Sequence, residues 1–272
     1  MLLVDGALTP SMLMFFAQQA QLFDSFFGAH RFVQGRVTVL FSDLGATAMA
    51  TPLLIERMGL VDSTQSEAAD LFTGRPVLVS ALGQRAGRGR SGVDWQNADR
   101  SVAASLAFQP GWPMDFAARV TLVAGLAATD VLPDSVALKW PNDIMIGESK
   151  IGGILTEASD SVVVVGFGLN LFWASPLAGA GAVHASDPGA GHSHRIAERW
   201  ALSLLDRVAA GPTAWSRDEY IQRCVTIGKA IEWEPDGSGI AMGVDEDGSL
   251  LVETDTGVQA LSSGGVRHVR PV

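Results

Sequence analysis

The stretch Gly83–Gly92, GQRAGRGRSG, constrains the fold of this chain more than any other. It places three arginines and four glycines within ten residues. Glycine loses more backbone freedom on folding than any other residue, and neighbouring guanidinium groups repel one another. Such a run suits neither a helix nor a strand interior, so it reads as a loop held at both ends. PVLVSA before it (Pro76–Ala81) and SVAASLAF after it (Ser101–Phe108) both have strand composition. Glycines let a backbone approach a ligand and aim N–H groups at it. Arginines supply forked, permanent positive charge that matches phosphate or carboxylate oxygens. Arg88 and Arg90 therefore mark a candidate anion site, of the kind a triphosphate needs. Read alone, the same residues also describe a solvated surface turn. They lack the Gly-Lys-Ser/Thr ending of a phosphate loop.

Composition makes any anion site a local affair. The chain carries 19 Lys and Arg against 29 Asp and Glu, a net charge of −10. General attraction to nucleic acid or to an anionic membrane is disfavoured. With 272 residues, 47% of them hydrophobic, the chain is globular and long enough for one large domain plus a small one. The single cysteine, Cys224, excludes an intramolecular disulfide and fits a reducing compartment. No apolar run approaches the roughly 18–20 residues of a membrane span. The N-terminus lacks the basic opening of a secretory signal. These features predict a soluble cytoplasmic protein that contacts no membrane.

Along the chain, PSMLMFFAQQAQLFDSFFG (Pro10–Gly28) reads as a helix with apolar residues on most of its circumference. Arg36–Asp43, RVTVLFSD, has strand composition. Only Arg31, Arg36 and Arg57 give firm positive charge before Val61, fewer than a DNA-binding arm requires. Thr64 and Glu67 have capping-box spacing and predict a helix through Phe72. A helix is expected over Pro113–Leu132, a strand over Val136–Trp140, and two strands around a Gly147–Ser149 turn. SVVVVGFGLNL predicts a buried strand that runs into a glycine break. Gly179–His194 reads as a mobile loop, followed by helices at His194–Ala210 and Ser216–Val225. From Gly228 the texture changes to short strands with Asp-Gly and Gly-Gly turns. Asp247-Gly248 is the clearest hairpin signal. The expected layout is residues 1–60 with no assigned role, a domain over 61–227, and a small closed β-barrel over 228–272.

Three further motifs join the arginine loop. KWPND (Lys139–Asp143) is a strand ending in a polar turn. KIGGIL (Lys150–Leu155) sets a lysine beside two strand glycines, which often mark close approach by a ligand. GFGLN (Gly166–Asn170) ends an apolar strand. Each alone is an ordinary turn or bulge. Together, with DSTQSEA, QRAGRGRSGVDW and the glycine-rich GIAMGVDEDGSLLV, the chain resembles the biotin–protein ligases from about Val61 to its end. Two departures stand out. The family usually has Ser-Thr-Asn where this chain has Ser63-Thr64-Gln65, and the first 60 residues do not resemble a winged-helix repressor domain.

The resemblance implies an α/β fold, with a mixed, largely antiparallel sheet, helices over one face and a C-terminal SH3-like barrel. It implies ligation of biotin to a lysine of a biotin carboxyl carrier protein, through biotinyl-5′-AMP, with ATP and Mg2+. On this reading Ser63, Thr64, Gln65 and Gln84 line the biotin end. Arg88, Gly89 and Arg90 bracket the biotin carboxyl and the phosphate. Lys150 holds one of those anions, and Gly152 and Gly153 let the ligand lie on the strand. Gln65 keeps the amide of the usual Asn with one more methylene, so either the pocket yields or the amide points elsewhere. Trp95 offers a face for adenine or is a plain core residue. Asn142 and Asn170 are expected near the nucleotide. Arg88, Lys150 and Asp143 are the catalytic candidates. Asp143 would accept the proton of the attacking lysine, help hold magnesium, or only stabilise its turn. The loop's arginines have no evident partners, which predicts ordering on the ligand. His184, His192 and His194 are irregularly spaced with no cysteine near, so they read as solvated loop histidines and no metal ligands are assigned. Cys224 reads as a buried helix residue. Competing readings are a lipoate- or octanoyl-type acyltransferase and a non-catalytic biotin-binding module. Neither monomer nor homodimer is favoured, and no DNA partner is expected.

Overall fold

The structure, a computed structural model, describes residues 30–33, 36–41, 52–92, 94–113, 117–262 and 266–268. The helix expected at Pro10–Gly28 lies outside the described residues. Among the described residues, nine strands form one sheet: β1 (His30–Val33), β2 (Arg36–Phe41), β3 (Leu53–Val61), β4 (Val77–Gln84), β5 (Arg100–Phe108), β6 (Val136–Lys139), β7 (Asp143–Ile146), β8 (Ser149–Ser159) and β9 (Val162–Phe172). Their spatial order is β1-β2-β3-β4-β5-β9-β8-β7-β6. Among these strands only β3 and β4 pair in parallel, and the short helix α1 (Thr64–Leu71) connects them. The strand expected from Arg36 pairs with β3, so the main sheet extends well before Val61.

Alternation along the strands decides which face is buried against which helix. Val163, Val165, Phe167, Leu169 and Leu171 of β9 enter the large core, with Val102, Leu106 and Phe108 of β5. Two long helices cover that face, α2 (Ala117–Val131) and α3 (Ala190–Ala209). In α3, Ile196, Ala197, Trp200, Ala201, Leu204 and Val208 are buried, the spacing of one helical face. Trp200 stacks on Phe167 at 4.8 Å between ring centroids, and its indole N–H donates to Ala124 O at 3.1 Å. The opposite face holds a smaller cluster, where Ala68 of α1 meets Val77, Val79, Ala107 and Val164.

Gly179–His194 is not all loop. Helix α3 begins at Ala190 and takes in His192 and His194. The segment before it is tied to the sheet: Lys150 N–H donates to Gly179 O, Gly181 N–H to Lys150 O and Val183 N–H to Asn170 O. After α4 (Arg217–Arg223) come β10 (Ala230–Trp233), β11 (Gly237–Val244), β12 (Leu250–Thr254), β13 (Gly257–Leu261) and β14 (Val266–His268). These form a five-stranded antiparallel sheet in the order β13-β12-β11-β10-β14. Its inward residues Ile231, Ala241, Val252 and Val266 belong to the same core as Trp140 and Trp200.

His194 corrects the reading of solvated loop histidines. Its Nδ1 lies 2.8 Å from Ser80 Oγ of β4, beside the Arg57–Glu198 ion pair at 2.7 Å. Burial, helped by the nearby Arg57 charge, lowers its pKa to about 4 from the ordinary 6.5. The fold therefore favours the neutral ring, while the unfolded chain takes up a proton below pH 6.5. This contribution to stability is complete above pH 6.5 and is lost as pH falls toward 4. His194→Gln should remove about 2–3 kcal/mol of that pH dependence, read by urea unfolding at pH 7 and pH 4.5. Parallel pH profiles for the two proteins would contradict this.

Candidate functional site

Strand β9 makes the floor of a cavity of about 320 Å³. Its bulky residues point into the core, which leaves Val164, Gly166 and Gly168 on the other face. Both glycines are required by close approach. A Cβ on Gly168 would fall 2.9 Å from ring carbons of Trp95, and one on Gly166 would fall 2.7 Å from Gln65 Oε1. The glycine break expected here is therefore a continuous strand whose missing side chains make room.

The start of α1 makes one wall. Ser63 is its N-cap residue, and Glu67 N–H donates to Ser63 O at 3.1 Å. The capping box expected from Thr64 does not form, because the Thr64 side chain is drawn into a tertiary network. Gln84 Oε1 accepts from Thr64 N–H at 2.8 Å and from its hydroxyl at 3.0 Å. Thr64 Oγ1 also lies 2.8 Å from Ser105 Oγ, and Ser105 donates to Gln65 Oε1 at 2.9 Å. Gln65 Nε2 donates to Val164 O at 3.0 Å and Leu155 O at 3.4 Å. The longer amide of Gln65 is thus directed into the strands, and the residue is buried. Ser63 Oγ is buried with no protein partner among the described residues.

The opposite end is cationic. The arginine loop returns on itself through a bridge between Arg88 and Asp94 and a hydrogen bond from Trp95 N–H to Gly87 O at 2.9 Å. Its arginines do have partners, contrary to the sequence expectation. Arg88 Nη2 reaches Glu157 Oε2 at 3.3 Å and Ser66 Oγ at 3.5 Å. Arg90 Nη1 donates to Asn142 Oδ1 at 3.2 Å, and Asn142 Nδ2 donates to Ile154 O at 2.9 Å. Lys150 Nζ lies 2.5 Å from Asp143 Oδ1. Glu157 comes from β8, Asp143 from the start of β7 and Asn142 from the turn before it, segments that the sequence treats as separate motifs.

Of the predicted site residues, Ser63, Thr64, Gln65, Gln84, Arg88, Gly89, Arg90, Trp95, Asn142, Asp143, Lys150 and Gly153 line the cavity. Gly152 and Asn170 do not. A Cβ on Gly152 would meet Gly168 O at 2.6 Å, so this glycine serves strand packing. Asn170 Nδ2 donates to Gly181 O at 3.1 Å. Sequence reasoning missed Ser105 and Asp94. Ser105 carried a signal, a hydroxyl in an otherwise apolar strand, which burial obliges to find a partner. Trp95 Nε1 is buried with no protein acceptor among the described residues. Among those residues, no group of three His, Cys, Asp or Glu side chains forms a metal site. No helix there is long and apolar enough to cross a membrane.

Comparison with known proteins identifies the family. Residues 61–170 match the biotin/lipoate A/B protein ligase family, and residues 234–269 match the biotin protein ligase C terminal domain. The biotin–[acetyl-CoA-carboxylase] ligase of Mycobacterium tuberculosis is 31% identical over 245 residues, covering 79% of this chain and 90% of that protein. The enzyme of the same name from Paracoccus denitrificans is 31% identical over 242 residues, covering 75% of this chain and 96% of its own. In fold, the chain is similar to the biotin protein ligase of Aquifex aeolicus solved with biotin and ATP. That match has a TM-score of 0.66 and 22% identity, and covers 80% of this chain and 99% of the other.

Two glycines of the cavity, Gly166 in β9 and Gly153 in β8, should respond unequally to an added methyl. In Gly166→Ala the new carbon would displace Gln65, which three hydrogen bonds hold in place, and should lower stability by about 1–3 kcal/mol. In Gly153→Ala the nearest atom is Asn142 O at 3.5 Å, an ordinary contact, and the urea midpoint should hardly move. Equal midpoints for the two variants would overturn this account of the floor.

Proposed function

Because the chain belongs to the biotin–protein ligase family, we propose that it joins biotin to a carboxylase carrier protein in two steps within this cavity. First, a carboxylate oxygen of biotin attacks the α-phosphorus of ATP. The bond to the β-phosphate oxygen breaks, and pyrophosphate leaves. Second, the amine of a carrier lysine attacks the acyl carbon of biotinyl-5′-AMP, and AMP leaves. The observation that carries this reading is the polarity of the cavity. A wall of neutral hydroxyls and amides faces one end, and Arg88, Arg90 and Lys150 converge at the other.

That division suits the substrates. Biotin has a polar ring head and an apolar tail, and a half-apolar pocket with few hydrogen-bonding groups fits such a molecule. Thr64, Gln84 and Ser105 are the groups at that end, with Gln65 holding Ser105. The first step brings a carboxylate against a triphosphate, so two anions must approach. Cationic side chains and loop N–H groups that meet the developing charge lower this barrier. Arg88 and Arg90 face the carboxylate and the phosphate, and Lys150 exchanges its Asp143 partner for one of them. A nucleotide-borne magnesium ion needs one or two protein carboxylates besides phosphate oxygens. Asp143 and Asp94 line the cavity and fit that need, and such an ion would share the phosphate charge. Trp95, whose ring lies against the floor at Gly168, would cover the adenine.

In the second step the attacking amine must lose a proton. A free lysine is neutral in only about one molecule in 2,500 at pH 7. Asp143 is the carboxylate assigned to orient or accept that proton, available once Lys150 has turned to the ligand.

Incubating the protein with biotin, MgATP and a carrier domain should add the mass of one biotinyl group to the carrier. Arg88→Ala should slow that gain by about 100- to 1,000-fold. A wild-type protein that binds biotin yet releases no pyrophosphate would make this a binding module instead.

A further inference from the structure

A turn of the C-terminal sheet packs against Trp140, which leads into the cavity wall, alongside the contact of His268 with Thr226 at 3.2 Å. Between β11 and β12, Asp245 Oδ1 accepts from the N–H groups of Asp247 and Ser249, both at 2.9 Å. Gly248 takes φ +87°, which favours glycine, and a Cβ there would sit 3.1 Å from Leu122 of α2. The turn is thus rigid in itself and pressed into the main domain. Four side chains of that domain grip it. Trp140 Nε1 donates to Gly248 O at 3.0 Å, Trp215 Nε1 to Glu246 O at 3.1 Å and Arg217 Nε to Val244 O at 2.5 Å. Buried Arg119 binds Asp247 and donates to Pro212 O at 2.9 Å.

Trp140 is the member that matters for chemistry. It is 2% exposed, and its backbone N–H is held by Thr226 Oγ1 at 3.1 Å. Two residues on is Asn142, which holds Arg90, and then Asp143, which holds Lys150. Ile154 N–H donates to Asn142 O at 2.9 Å, which fastens the far side of the same turn to the cavity wall. The Pro141–Asp143 turn is therefore clamped between the C-terminal hairpin and β8.

We propose that the Asp245–Ser249 turn is a positioning element for the cavity, acting through Trp140 to fix Asn142 and Asp143 against Arg90 and Lys150. Trp140 touches no reacting atom. It sets where two cations and one carboxylate stand. For turnover this inference rests on the function proposed above.

Trp140→Phe keeps an aromatic ring but removes the N–H, so Gly248 O loses its donor. In the full-length protein this should lower kcat for biotin-dependent ATP–pyrophosphate exchange by about 10- to 100-fold, the scale expected when reacting groups are misplaced by an ångström or less. Biotin affinity without ATP should fall by less than kcat does, because the Thr64–Gln84 wall lies at the other end and only the carboxylate meets Arg90 and Lys150. Combined with Asp143→Asn, Trp140→Phe should cost less than the product of the two single losses, since one of the two residues it positions is then already gone; independent losses would multiply. Hydrogen exchange at the Ile154 amide should quicken by about tenfold, which reads the turn without any turnover.

Multiplying losses, or normal kcat with an unchanged Ile154 amide, would overturn the proposal. Should Trp140→Phe not fold, Asp247→Asn loosens the same turn from its exposed side, and full activity with an unaltered Ile154 amide in that variant would overturn it equally. A wild-type protein without exchange activity would count against the proposed function, and the Ile154 amide alone would then decide the positioning role.

Discussion

Strand β9 carries large side chains on one face and glycines on the other, and the cavity exists because of that split. A strand rich in glycine is weak by itself. Here the loss is offset from behind, where Val163, Val165, Phe167, Leu169 and Leu171 are buried against the long helices. Register protects the arrangement. Phe167 faces Ala104 on one side and Ile154 on the other, while Gly168 faces Ala103 and Gly153. A slip of one residue would put the phenyl ring into the cavity and glycine into the core. The energetic price of that slip is what keeps the floor empty.

A second constraint is electrostatic. A chain of net charge −10 must gather cations without wasting them or letting them repel. Each cation at the cavity has a polar partner, Glu157 for Arg88, Asn142 for Arg90 and Asp143 for Lys150. Arg88 and Glu157 are both about half exposed, and such pairs are worth little in water. An incoming carboxylate or phosphate can replace them at small cost. In the structure these acids hold Arg88 and Lys150 at the lining of the cavity.

Much of this was legible beforehand. The four motif segments were readable because loops and strand ends that approach a ligand need glycine, and anions need arginine or lysine. The hairpin at Asp247-Gly248 was readable because its turn chemistry is local. Misses came where tertiary contact outweighed local rules. Thr64 has capping-box spacing but spends its hydroxyl on Gln84 and Ser105. His194 looks like a loop residue by composition, yet a helix carries it onto Ser80. Gly152 and Gly153 look equivalent in sequence, but adjacent strand residues face opposite ways, and only Gly153 lines the cavity.

By itself the sequence determined which glycine- and cation-bearing segments belong together, because those residue types at those spacings have few other uses together, and the structure brings them to one cavity. It also determined most elements, since hydrophobic period and turn residues act over short range. Only the tertiary structure decided who holds whom: that Gln65 turns inward, that Lys150 meets Asp143, and that a turn some 105 residues downstream grips Trp140. Such pairings depend on how strands register and layers stack, and no local pattern encodes the distance between residues brought together only by the closing of the core.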